Sequence, residues 1–78
     1  MKNYNVTTSG DVPADILKAF SSFDGKPANK ENFIVLSDDI DFYVCDIKAC
    51  HGNTNNDKTA WLSPKNGDNT WSLNITIS

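Results

Sequence analysis

Cys45, Cys50 and His51 are the only thiol and imidazole side chains in the chain, so any thiol or soft-metal chemistry must use them. Structural zinc takes four ligands, and the fourth would have to be a carboxylate such as Asp46 or Asp57. The CxxxxCH spacing matches no established zinc motif. Nucleophilic catalysis needs a thiol or hydroxyl within hydrogen-bond reach of a base. Cys50 and His51 are adjacent, and in an extended chain they point to opposite faces. No third residue is positioned to orient His51, and no Gly-rich phosphate loop is present. Asn53 to Asp57 looks like the opening of a calcium loop, with oxygen ligands at alternate positions. Lys58 then stands where that loop needs glycine, and Pro64 where it needs glutamate. The expectation is a protein that is not an enzyme and carries no metal or cofactor. In it Cys45 and Cys50 stay reduced and pack as small apolar groups.

What remains is surface chemistry. Asp38, Asp39, Asp41 and Asp46 concentrate negative charge in a short segment. A cluster of this kind is often a solvated turn or an edge that blocks aggregation. Its functional reading is a patch complementary to a basic partner, where opposite potentials steer association and fix register. Trp61 and Tyr43 join it as candidate partner-binding residues, because an outward tryptophan is costly to leave wet and aromatics are enriched at interface hot spots. The competing reading buries Trp61 under a helix or under the loop 48–58.

These residues must be positioned by a few short elements. Tyr4 to Thr8 alternates as a strand. Ser9-Gly10-Asp11 then turns the chain, and Pro13 opens a helix whose apolar stripe is Ile16, Leu17, Phe20 and Phe23, ending at Asp24-Gly25. Phe33-Ile34-Val35-Leu36 is a continuous apolar run of strand length, expected as a buried central strand. Ser37-Asp38-Asp39 is expected to turn the chain into a second strand, Ile40 to Ile47, and residues 48–58 form a polar loop. Asn66-Gly67 favours a two-residue type I′ hairpin. That turn sets Leu62 opposite Trp71 and Trp61 opposite Ser72. The last strand then directs Trp71, Leu73, Ile75 and Ile77 inward, and throws Trp61 to the outer, polar side. Because Asn69 to Ser78 carries no charge, this strand is expected inside the sheet and not at an edge.

The fold class that follows is α+β, one helix packed on a four- or five-stranded, mainly antiparallel sheet in the order βαββββ. Seventy-eight residues make one small domain, residues 1–78. No apolar run reaches the roughly 18 residues a membrane span needs, and the first ten residues lack the apolar core of a secretory signal, so the expected location is the cytoplasm. The formal net charge is -3, with no arginine, which disfavours direct contact with nucleic acid because guanine and phosphate recognition lean on its planar fork.

The best-supported function is a small acidic protein-binding module, a stoichiometric inhibitor that occupies a basic, nucleic-acid-binding surface of a partner. By size and charge alone it is analogous to phage-encoded antagonists of host defence such as anti-CRISPR proteins, acting in the host cytoplasm, or to toxin immunity proteins. Alternatives are an assembly subunit pairing through an exposed sheet edge, and a regulatory domain stabilised by metal at Cys45, Cys50 and His51. The expected oligomeric state is a monomer or a weak homodimer.

Overall fold

The computed structural model describes residues 2–47 and 50–78, with the side chains of Asp46 and Ile47 outside that description. Along the chain run β1 (Tyr4–Gly10), α1 (Ala14–Ser21), α2 (Lys30–Asp41), a π-helical segment (Phe42–Ile47), β2 (Cys50–Thr54), β3 (Ala60–Pro64) and β4 (Trp71–Ile77). The class is α+β, with a four-stranded antiparallel sheet in the spatial order β1-β4-β3-β2.

Period-two alternation builds the sheet. In β4, Trp71, Leu73 and Ile75 are buried and Asn74 and Thr76 exposed, so one face meets the helices and the other meets water. β4 lies between β1 and β3, as its lack of charge demands of an uncharged strand. The outer edge of β1 is closed by the segment that follows α1. Tyr4 N donates to Lys26 O at 2.8 Å, Gly25 N donates to Tyr4 O at 2.9 Å, and Val6 N donates to Asp24 Oδ1 at 3.0 Å. These bonds satisfy edge groups that would otherwise template aggregation.

The helix α1 begins after Pro13, whose fixed φ suits the first turn, and it buries Ile16 and Phe20. Phe23 completes this side of the core, edge-on to Tyr4 at a centroid distance of 6.2 Å. Tyr4 is fully buried, and burial pushes its phenol pKa up.

Residues 30–47 correct the sequence expectation most. Phe33-Ile34-Val35-Leu36 is not a central strand. It lies in α2, where only Leu36 of these residues is fully buried, joined by Ile40 one turn later. The helix is favoured at its start by Asn29, whose side-chain oxygen accepts from Asn32 N at 2.9 Å. Leu36 and Ile40, four residues apart, supply the stripe that docks on the sheet. Ile40 to Ile47 is likewise not a strand but the end of α2 and the π-helical segment. The chain therefore has two α-helices in the order βααβββ where one was expected. Asp38-Asp39 is helical and not a turn.

The polar stretch after it also differs from expectation, because Cys50–Thr54 forms the edge strand β2. It has little intrinsic strand preference, and Gly52 explains how it packs. A Cβ at Gly52 would stand 2.5 Å from Leu62 Cδ2 and 2.8 Å from both Trp61 O and Val44 Cγ2. Only a glycine lets the π-helical segment lie this close to the sheet.

The β3–β4 connection is longer than a two-residue turn. Gly67 N donates to Pro64 O at 3.2 Å, and the left-handed residues are Gly67 and Asn69, whereas a type I′ turn requires Asn66 and Gly67. Trp61 therefore pairs with Asn74 and not Ser72. A slip of two residues keeps every side chain on its predicted face, which is why the inward and outward assignments of β3 and β4 survive the wrong turn.

Candidate functional site

The helix α2 carries the acidic residues and an unusual share of exposed apolar surface. Ile34, Val35 and Phe42 are 51%, 49% and 42% exposed. At about 100° per residue, the exposed arc runs round the helix in the order Lys30, Asp41, Ile34, Asp38, Glu31, Phe42, Val35. Phe42 stays on this arc because it keeps right-handed helical angles as the C-cap, φ -60 and ψ -48. Apolar and acidic side chains thus interleave across roughly two-fifths of the circumference, with Lys30 at one margin. Phe42 also packs edge-on against Tyr43 at 5.4 Å, which fixes its ring.

The electrostatics of this stripe are unfavourable to the isolated fold. Asp38, Asp39 and Asp41 occupy the C-terminal part of α2, and no basic residue lies in its last turn. Carboxylates there oppose the partial negative charge of the helix end. Partial burial pushes the Asp39 pKa up, the Asp38 carboxylate pushes it further, and Lys26 pulls it partly back. Lys26 itself is shared with the Phe23 ring, 5.2 Å from its centroid. Asp38 and Asp41 form no ion pair among the described residues.

Other expected site residues fall elsewhere. Trp61 is exposed, 41%, on the outer face of β3, with the sheet between it and α2. Tyr43 turns toward the core, half-buried against Phe20 at 5.5 Å, and does not share a surface with Trp61. The Asp46 side chain lies outside the described residues. Cys45 is exposed and Cys50 is buried. His51 is exposed on the outer face, so the alternation of β2 separates it from Cys50. Among the described residues no group of three His, Cys, Asp or Glu side chains comes together, and no helix is long and apolar enough to cross a membrane.

A cavity of about 470 Å³ at the end of the sheet, lined by Lys2, Ala28, Asp57, Lys58, Thr59 and Ile77, contains none of these residues. Sequence reasoning missed Ile34 and Val35 because it assigned them to a buried central strand, and Phe42 because it assigned it to the strand after them. A helical wheel through residues 30–42 carried the signal that exposes them. No family model, no curated protein and no solved structure matches this chain.

Proposed function

We propose that the protein is a binding module that docks on a basic protein surface through the outer face of α2, in the manner of a stoichiometric inhibitor. The observation that carries this reading is the exposed stripe in which Ile34, Val35 and Phe42 alternate with Asp38 and Asp41. Apolar anchors supply affinity once desolvated, and carboxylates that form no ion pair among the described residues supply steering and register. The stripe also costs the free protein something, since valine, isoleucine and aspartate are weak helix formers and the charges oppose the helix dipole. A sequence selected for stability alone would place lysine in the last turn of this helix, which has no basic residue. A basic, nucleic-acid-binding surface of another protein complements it in charge.

The assembly reading has less to use. The edge of β1 is already bonded to the segment 24–26, which leaves the five-residue strand β2 as the other edge.

The test is site-specific photo-crosslinking in cells, with the cross-linking residue placed at Val35 or, as control, at Thr76 on the outer sheet face. The proposal expects one basic protein captured from Val35, and capture abolished by Asp38→Asn with Asp41→Asn. Equal capture from both positions, or capture indifferent to the aspartates, contradicts it.

A further inference from the structure

The outer face of the sheet has a chemistry of its own. Its positions carry Asn, Ser and Thr, one histidine and one tryptophan, without a single carboxylate or ammonium, in a chain with ten acidic and seven basic residues. Trp61 stands on the internal strand β3. Register sets Asn53 directly opposite it on one side and Asn74 directly opposite it on the other, with Thr7 next beyond Asn74. Directly opposed residues have their Cβ atoms about 4.5–5.5 Å apart, so an amide flanks the indole on each side. Asn53, Asn74 and Trp61 are all exposed, and neither amide side chain is hydrogen-bonded among the described residues.

We propose that this face is a platform for a neutral carbohydrate, with a sugar ring stacked on Trp61 and its hydroxyls bonded by Asn53 and Asn74. A pyranose offers an apolar, weakly positive C–H face to the negative face of an aromatic ring. Its equatorial hydroxyls point outward to the ring edge, where each side-chain amide presents two donor hydrogens and one acceptor oxygen. Charge complementarity selects the ligand. Nucleic acid needs cationic groups along its backbone even where a base stacks on an aromatic, and this face has no lysine. An acidic or basic ligand would find no lysine or carboxylate at these strand positions to pair with. A protein partner would gain one aromatic anchor while desolvating the amides and hydroxyls around it. The face lies across the sheet from α2, so both surfaces can be occupied together.

The experiment is a titration of the ¹⁵N-labelled protein with maltohexaose, cellopentaose and N-acetylchitopentaose, each to about 5 mM, which detects the millimolar affinity expected of one stacked ring. The Trp61 indole and the Asn53 and Asn74 side-chain amides should shift with at least one sugar, while the buried Trp71 indole stays in place. Trp61→Ala should abolish binding, and Asn53→Ala and Asn74→Ala should each weaken it about three- to tenfold. Because Trp61 is exposed, its variant should fold; the two asparagine variants provide the same test independently. No shift at Trp61 with any sugar overturns the proposal, as does undiminished binding by Trp61→Ala. Sedimentation showing a dimer that Trp61→Ala dissociates, without sugar present, assigns the face to a second copy and also overturns it.

Discussion

The outer face of α2 and the outer face of the sheet are both exposed, yet they carry opposite kinds of surface. On the helix, large apolar side chains alternate with carboxylates; on the sheet, amides and hydroxyls surround one tryptophan. Exposure alone therefore does not define an interface. What a surface can bind follows from how its charge and apolar area are mixed, and it is from these two mixtures that a basic protein partner and a neutral, hydroxyl-rich ligand are proposed.

The largest expected effect distinguishes the two faces of α2. Leu36→Ala and Ile40→Ala should each cost about 2–5 kcal/mol, because both side chains are buried. Ile34→Ala and Val35→Ala should stay within about 0.5 kcal/mol. Denaturant unfolding measures all four. Comparable losses at Ile34, Val35 and Leu36 would restore a buried strand and remove the stripe.

How much of this was legible in the sequence follows the same division. Period-two alternation is unambiguous in β4, and it placed Trp61 outward even though the turn beside it was misjudged. Pro13 and the stripe through Ile16 and Phe20 marked α1, although the helix ends at Ser21 before the expected Asp24-Gly25 and Leu17 of the expected stripe is exposed. α2 was illegible because Phe33-Ile34-Val35-Leu36 is a continuous apolar run with an aromatic and two β-branched residues, and Ile40-Asp41-Phe42-Tyr43-Val44 reads as a strand. Tertiary packing of Leu36 and Ile40 overrides that local preference. β2 was missed for the converse reason. Cys50-His51-Gly52-Asn53 lacks strand formers, and its place depends on contacts of Gly52 that only the folded chain reveals.

Gly52 gives the next largest effect. Gly52→Ala should destabilise by about 1–3 kcal/mol, since the backbone oxygen of Trp61 cannot move aside as a flexible side chain could. An unchanged melting temperature would mean that the π-helical segment sits farther from the sheet.

A smaller effect separates the charged surface from a loop aspartate by its sign. The raised pKa of Asp39 means that its ionised form costs the fold stability above that pKa, a cost that disappears as pH falls through it. Asp39→Asn should therefore raise Tm at neutral pH, with the gap closing on acidification. Asp68 is the reverse, because the Thr70 amide and hydroxyl donate to its Oδ1 at 3.1 and 2.9 Å and hold its pKa down. Its contribution is present at neutral pH and lost as pH falls through the lowered value, so Asp68→Asn should lower Tm at neutral pH. The same sign for both variants would show that these local environments are wrongly described.

The central claim is that the α2 stripe, and not Trp61, binds the protein partner. Association kinetics with the partner captured from Val35, measured across a range of salt concentrations, test it most directly. Asp38→Asn, Asp39→Asn and Asp41→Asn together should slow association and flatten its salt dependence, while Trp61→Ala should leave both rate constants unchanged. Unaltered kinetics for the triple variant, with a faster off-rate for Trp61→Ala, would contradict it and move the interface to the other side of the sheet.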